Sequence, residues 1–579
     1  MKPGMHAQKK RQRIISLGML ALFLMYAVCY APYGMDTTDF GFFYGYPWRI
    51  VQGQVPYRDF YFITPPAALY WHAFWLAVTP DNIAVLAGKW GFLAELAAAA
   101  WMGTFYLGRV FDCERMELPL PLLAALGFVW SVHSFPPMPW HTVDGVFFGS
   151  AALLAGISGW PLLAGICASV CMLSKQSFLL VPLAVAIMVF CCREKRRETL
   201  FCLTGTALAL CMHYAVLRYC GAWEAFCLQT MGQLDRNEAL KAGIGIYITQ
   251  NWLLPGLAFA PCALWRLPAL CSRFFPARPL SSWLQRLQET PLPVFFQPML
   301  LYFLMLTGMY LKMVLEEKTW IGFGDSWPTF LMVIGGLCVL FPATFLRENL
   351  KTGMPSDRLP SSARASIALG AALTLSWSVG ISGGYKIPAF GALPLIFCAI
   401  LAHRLFGGRT RIVAWTMLVC GLVMFRVGYE YPYVFPVRPM PRASLVHDAG
   451  QIYPKARGVY VDAEMFAKLR ELRDLRERYG VNYKTLPAFP LAYFLNGDVP
   501  VYPAEWVMDW WINGRVEENY KLLVERDVVV FMERDQRDVE SPDAYASRRY
   551  SIPIRVSREW RKVDETEHFI VFKRPEPGT

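Results

Sequence analysis

The residues best suited to chemistry sit in one stretch, MDTTDFGFFYGYPWRIVQGQVPYRDFYFITPP, which runs from Met35 to Pro66 directly after a strongly apolar run. It holds the carboxylates Asp36, Asp39 and Asp59 and the guanidinium groups Arg49 and Arg58 among many aromatics. Acidic groups placed beside apolar chain at a membrane surface are costly unless they are paired or used. Asp39 opens the spacing D-x-G-x(11)-G-x-x-P-Y-R-D, through Gly41, Gly53, Pro56, Tyr57, Arg58 and Asp59. A carboxylate in a partly dry site has a raised pKa and can take a proton from an acceptor hydroxyl, which makes Asp39 the candidate base. Its bland counterpart is a helix cap beside Thr37 and Thr38. For Asp36 a cap or solvated role weighs as much as a substrate contact. Asp59 could position Arg58, hold an acceptor or help bind a divalent cation, or simply pair with Arg58.

Other candidates are scattered. His141 and Asp144, in PMPWHTVDG, are three apart and could share a proton or a metal, but two such residues make a weak metal signal and a loop hydrogen bond suits them better. Lys175 and Gln176 interrupt two apolar runs. A lone cation at such a depth commonly faces a cavity or an anion, so Lys175 is the first candidate to meet a phosphate, with snorkelling as the alternative. Tyr385 and Lys386 lie in SGGYKIP, where glycines would let a ligand approach closely. Glu316, Glu317, Lys318 and Asp325 read as a solvated or self-paired loop. Trp506, Trp510 and Trp511 in EWVMDWW could stack on sugars, although core packing explains such clusters more often.

These residues need a scaffold, and the composition names its class. Of 579 residues, 55% are hydrophobic, 15% aromatic and only 17% charged. A soluble domain carries about 25% charged residues, so the shortfall points to a polytopic membrane protein. The net charge of +12 comes from short basic clusters between apolar runs, which fits membrane topology rather than a nucleic-acid partner. The 15 cysteines fall almost wholly in apolar runs and lack zinc spacing; only Cys220 and Cys227 fall where they could share an external loop and a disulfide.

Thirteen spans are expected: 14–31, 83–107, 118–134, 144–158, 161–174, 176–192, 199–218, 247–264, 293–312, 327–345, 365–382, 388–402 and 412–429. The basic N-terminus and the Lys/Arg-rich alternate loops place the N-terminus in the cytoplasm and the C-terminus outside. Between the first two spans, in an outer loop over 32–81, two pieces (39–51 and 65–78) are too short to cross the ~30 Å hydrocarbon layer and should lie at the interface. Pro47 tells against a long straight helix in the first of them. After about 429 the chain becomes mixed and charged: 457–462, 528–533 and 568–574 read as strands and 463–479 as an amphipathic helix. The expected fold is therefore mainly α, a polytopic helical membrane protein over 1–429, with a small α/β domain over 430–579 on the outer face.

The stretch from Asp39 to Pro66 resembles the first outer loop of the C-type glycosyltransferase superfamily, in particular bacterial dolichyl-phosphate-mannose-type protein mannosyltransferases and lipid A aminoarabinose transferases. Those proteins carry one or two acidic residues after the first span, then G-x-x-P-Y-R-D, then a Pro-rich entry to a second interfacial helix. Here Phe40 stands where a second acidic residue is usual, and Thr64 where a lysine often precedes the prolines. Lys175-Gln176 is similar to a lysine those proteins place at the end of a span. TLPAFPLAYFLNGDVP (485–500) is similar to their L-P-x-x-P-x-x-Y-F-L-x-G. The resemblance implies an inverting transfer of a sugar from a polyprenyl-phosphate donor to a lipid, glycan or protein acceptor, at the outer (periplasmic) face of an inner membrane. It implies Asp39 and Asp59 as catalytic candidates, Lys175, Arg58 and Lys386 as donor-phosphate ligands, and Asp36, Tyr57, His141, Asp144, Gln176 and Tyr385 as substrate contacts, with a divalent cation as the only cofactor in question. A transporter or flippase of a lipid-linked sugar, or a non-catalytic scaffold, are the competing readings; the first lacks the internal repeat such proteins often show.

Overall fold

The computed structural model describes residues 17–110, 120–132, 137–231, 361–380 and 428–575, with a few positions between 422 and 426, and with gaps at 19, 194, 435–438, 510, 513 and 535–549. The spans expected at 247–264, 293–312, 327–345 and 388–402, the loop with Glu316 to Asp325, and both Tyr385 and Lys386 lie outside the described residues, as does most of 412–429.

The described chain is mostly helical, with a small C-terminal sheet. After α1 (Leu20–Cys29) come α2 (Asp39–Val51), α3 (Ala67–Val78), α4 (Ala84–Val110), α5 (Leu120–Val132), α6 (His141–Ser158), α7 (Pro161–Ser174), α8 (Val181–Arg193), α9 (Arg196–Tyr219), α10 (Trp223–Phe226) and α11 (Ser361–Gly380). Three segments among the described residues are long and apolar enough to cross a membrane: Asp81–Val110, Gln176–Arg193 and Arg196–Tyr219. The short turns expected between neighbouring runs are real. Gly159, at φ 88°, caps α6, and Pro161 starts α7 one residue after Trp160. A glycine past a helix end and a proline at the next helix start are the cheapest way to reverse direction. Cys220 and Cys227 are free thiols.

Helix α2 has the expected bounds but departs from the expectation in one respect: Pro47 lies inside it. Proline removes one intrahelical hydrogen bond. The loss is tolerated because the helix is enclosed, with Phe40, Phe42, Phe43, Tyr44, Tyr46 and Arg49 all buried. Its outer wall is the C-terminal domain. A Cβ built on Gly45 would fall 2.3 Å from the Pro490 carbonyl oxygen, and one on Gly41 would fall 2.8 Å from the Leu491 nitrogen. The two sequence stretches that carried the family resemblance are thus packed backbone to backbone.

In the C-terminal domain, β1 (Tyr433–Val434) pairs antiparallel with β2 (Pro439–Met440), and β5 (Tyr483–Leu486), β6 (Val529–Glu533), β8 (Phe569–Lys573) and β7 (Arg561–Glu565) form one sheet in the order β5-β6-β8-β7, parallel at β5–β6 and otherwise antiparallel. Helix α12 (Ala463–Tyr479) packs Leu469, Leu472 and Leu475 inward and is capped by Asp462, whose carboxylate accepts from Met465 N at 2.9 Å. Helices α13 (Leu491–Asn496), α14 (Val516–Glu525) and α15 (Ser551–Glu559) complete it. The strand expected over 457–462 shrinks to β4 (Tyr460–Val461), which pairs with β3 (His447–Asp448) and not with the main sheet. Its backbone is taken by the exit of the first span: Gly34 N donates to Tyr460 O at 2.8 Å and Tyr460 N to Pro32 O at 2.6 Å.

The strongest tie between α2 and this domain is ionic. Arg49 Nε donates to Glu505 Oε1 at 2.6 Å and Nη1 to Gln54 Oε1 at 2.9 Å, while Lys484 Nζ lies 3.6 Å from Glu505 Oε2. The Arg49, Glu505 and Lys484 side chains are 1%, 0% and 0% exposed. Removing one partner of a buried pair strands the other, so Arg49→Met should cost about 3–5 kcal/mol. Arg49→Met combined with Glu505→Leu and Lys484→Met, which leaves no member of the group stranded, should recover part of that, read as melting temperature in detergent. Gly45→Ala should also lower the melting temperature, because backbone atoms of Pro490 cannot give way.

Candidate functional site

The site forms just after α1. Lys89, fully buried in α4, donates to the carbonyl oxygens of Tyr33 (2.8 Å) and Gly34 and so fixes the chain entering α2. Asp36 then turns that chain. Its Oδ1 accepts from Thr38 N at 2.8 Å, Thr38 Oγ1 at 2.9 Å and Phe40 N at 3.3 Å, and its Oδ2 accepts from Tyr433 Oη at 2.6 Å. Every acceptor position worth having on Asp36 is filled, which is the capping role weighed for it.

Asp39, one turn on, is the opposite case. It is the first residue of α2, directly after the N-cap Thr38, and is half-buried. Burial, reinforced by the negative charge of Asp36, pushes its carboxyl up to about 7, and Lys175 acts the other way. The same desolvation pulls the Lys175 ammonium down to about 7, opposed by Asp39. Lys175 sits in extended backbone (φ −160°) at the break between α7 and a single 3₁₀ turn, Gln176–Phe178. It is 9% exposed, and its Nζ donates to Thr142 Oγ1 at 3.2 Å. A desolvated acid and a desolvated base, each shifted to about 7, lie within reach of each other's charge here. Asp39 can remove a proton, and Lys175 can receive developing negative charge.

The remaining first-loop candidates serve the loop itself. Tyr57 adopts φ 70°, rare and costly for a bulky residue. It is held there by its own Oη donating to Thr64 O at 2.6 Å and by Gln229 Nε2 donating to Tyr57 O at 2.8 Å. Gln229 Oε1 also accepts from Phe62 N at 2.9 Å. Asp59 closes the turn by accepting from Val55 N at 2.7 Å, and both its oxygens engage Arg58 at 2.8 Å. The salt bridge and this backbone bond hold the Asp59 carboxyl below its usual range. Asp59 is thus an ionised, engaged carboxylate. It lines the same cleft as Arg49, and Arg49 is about 15 Å along the α2 axis from Asp39 at 1.5 Å per residue. The structure does not bring Asp59 or Arg58 to Asp39. Gln176 donates to Ile63 O, so its amide anchors the loop beside Lys175 instead of standing free for a substrate.

His141 and Asp144 do not bond each other. Asp144 Oδ2 lies 3.0 Å from His72 Nε2 of α3, and Trp71 Nε1 donates to Glu95 Oε1 of α4 at 2.6 Å in the same buried group. The His141 ring stacks on Phe43 at 5.2 Å. The expectation of a hydrogen bond between His141 and Asp144 in a loop is not met: both lie in the first turn of α6, and α3 supplies the partner of Asp144. Trp506 and Trp511 pack on Phe42, 6.0 and 5.2 Å between ring centroids, so they are core and not a sugar platform. Sequence reasoning missed Lys89, His72, Glu95 and Tyr433. The first and third carry a signal that was available, since a charge inside an apolar run is itself a flag.

Among the described residues, the one His/Asp/Glu/Cys group with metal-ligand spacing is Glu471, Glu567 and His568 in the C-terminal domain, far along the chain from Asp39. His568 Nδ1 there lies 2.9 Å from Glu471 Oε1, an adequate ion pair by itself.

The raised Asp39 carboxyl has a stability signature. The folded state holds this proton up to about pH 7, whereas an unfolded chain releases it near 4, so burial of Asp39 destabilises the fold progressively as pH rises through that window. Asp39→Asn should therefore melt higher than the parent, with a gap that widens by on the order of 1–3 kcal/mol between pH 5 and pH 8. A gap independent of pH would mean that Asp39 is ionised throughout.

Compared with protein-family descriptions and with curated proteins, the chain matches none.

Proposed function

We propose that this chain is a membrane glycosyltransferase that moves a sugar from a polyprenyl-phosphate donor to an acceptor hydroxyl on a lipid, glycan or protein, at the outer face of the membrane. One observation carries this reading: just after α1, the half-buried Asp39 carboxyl, pushed up to about 7, and the buried Lys175 ammonium, pulled down to about 7, feel each other's charge. In this reading the acceptor oxygen attacks the anomeric carbon as the bond from that carbon to the lipid phosphate oxygen breaks. The phosphate leaves with the electron pair, the acceptor proton passes to the Asp39 carboxylate, and configuration inverts. A carboxyl with a pKa of about 7 is a far better base than an ordinary one. The Lys175 ammonium, 9% exposed, attracts the donor phosphate, and that attraction grows as the leaving oxygen takes up charge.

The same reading gives Asp36, Asp59, Gln176 and Tyr57 the task of shaping the rim rather than touching the reacting atoms. It takes thirteen spans, with a cytoplasmic N-terminus and the C-terminal domain outside, in the periplasm. Lys386 and Tyr385 keep their place as further donor contacts. The family likeness rests on the residues of the first-loop motif and of the 485–500 motif, two stretches that pack against each other here.

The purified full-length protein, incubated with a panel of polyprenyl-phosphate sugars and candidate acceptors, should release free polyprenyl phosphate only when acceptor is present. Asp39→Asn should lower that rate by about 10²-fold or more. Lys175→Ala should raise the donor KM and lower kcat, with Lys175→Arg restoring part of both. Full activity in Asp39→Asn would remove the base role. Vesicle uptake of the lipid-linked sugar without release of the phosphate would replace transfer by transport.

A further inference from the structure

A second concavity lies at the opposite end of α2 from Asp39. It is a cleft of about 670 Å³ between the 54–61 loop, the turn after α9, the 500–503 segment and α14. Its charged lining is Arg49, Arg58, Arg515 and Arg526 against Asp59 and Glu518. Both acids are already committed, Asp59 to Arg58 at 2.8 Å and Glu518 to Arg515 at 3.7 Å. Arg49 is balanced from behind by Glu505. Arg526 lines the cleft with no ion pair among the described residues. The cleft therefore carries an excess of guanidinium, and a fork of N–H donors matches phosphate oxygens. Its size falls within the range of small-ligand sites.

The other wall is apolar and faces elsewhere. Gly221, Ala225 and Leu228 border the cleft immediately after α9, one of the candidate spans. Tyr219, the last residue of α9, is 93% exposed and Leu228 is 47% exposed. An exposed tyrosine at the end of an apolar helix marks the water–lipid boundary. The cleft thus opens with arginines on its water side and apolar side chains on its lipid side. That is the arrangement a phospholipid presents: an anionic head joined to acyl chains at the interface.

We infer that this cleft binds the phosphate-bearing headgroup of an anionic membrane lipid, with its acyl chains running down the exposed side of α9. The inference stands apart from the transferase reading and survives its failure, because it needs neither Asp39 nor a sugar donor. Bound there, a lipid would join the 54–61 loop, α9 and the C-terminal domain at the membrane edge.

The test uses the full-length protein in nanodiscs of phosphatidylcholine, with or without phosphatidylglycerol. Phosphatidylglycerol should slow hydrogen exchange over 515–526 and be retained through purification, as read by native mass spectrometry. Arg526→Ala combined with Arg515→Ala should lower that retention about tenfold, as expected for loss of charge-assisted hydrogen bonds, while Arg526→Lys should keep most of it. Equal retention in parent and double variant, with unchanged circular dichroism, overturns the inference. So does equal protection in phosphatidylcholine alone. Excess glycerol 3-phosphate, added to phosphatidylcholine discs, distinguishes the source of the phosphate. Protection as strong as that by phosphatidylglycerol would assign the cleft to a water-soluble phosphate and reject the lipid.

Discussion

The buried contact of Arg49 with Glu505 is the constraint on which the remaining geometry turns. Three ionisable groups, with Lys484 as the third, meet where essentially no water reaches. Burial pulls Lys484 down to about 8, and Glu505 is what resists the fall. Such a group is poor evidence for net stability, because the cost of removing charges from water nearly cancels their attraction. What it supplies is registry. Two cations gather on one carboxylate only where α2 meets the 502–505 segment, and the Pro490 and Leu491 backbone against Gly45 and Gly41 leaves little room for a shift. The C-terminal domain is therefore a wall of the site, not an appendage to it.

That registry fixes what happens one helix length away. Asp36 and Asp39 are three residues apart and chemically identical, yet the fold gives them contrary environments. The first accepts from two backbone amides, a threonine hydroxyl and Tyr433 and so serves the turn, although burial raises its carboxyl as well. The second receives none of these and keeps a proton affinity suited to neutral pH. Two like groups pushed to different tasks by their surroundings are a common way to divide structural and chemical work.

The first loop shows the same economy of roles. Its most conspicuous residues, Tyr57, Arg58 and Asp59, close a tight turn in which a tyrosine is forced into left-handed backbone. Gln229 and Gln176, from two different parts of the helical bundle, hold the turn and the segment after it. The rim is thereby tied to the break at Lys175, and the spacing between Asp39 and Lys175 depends on contacts that neither residue makes.

Much of this was legible in the linear chain. The bounds of α2, the positions of α4 to α9, the break at Lys175 and the helix over 463–479 all follow from local patterns: apolar length, a glycine–proline reversal, a lone cation, and period-3.6 burial. The prominence of Asp39 was legible too, since a carboxylate at the end of an apolar run is expensive wherever it lies. The sequence could not say which of three acids would stay unengaged, because Tyr433 reaches Asp36 from almost four hundred residues away. Nor could it pair Asp144 with His72, or remove Asp59 from the neighbourhood of Asp39, or turn Gln176 into an anchor. Local patterns fix which segments are helices and where they stop, through interactions a few residues long. Which polar groups are left without partners is a property of surfaces brought together from distant parts of the chain, and only the tertiary structure decides it.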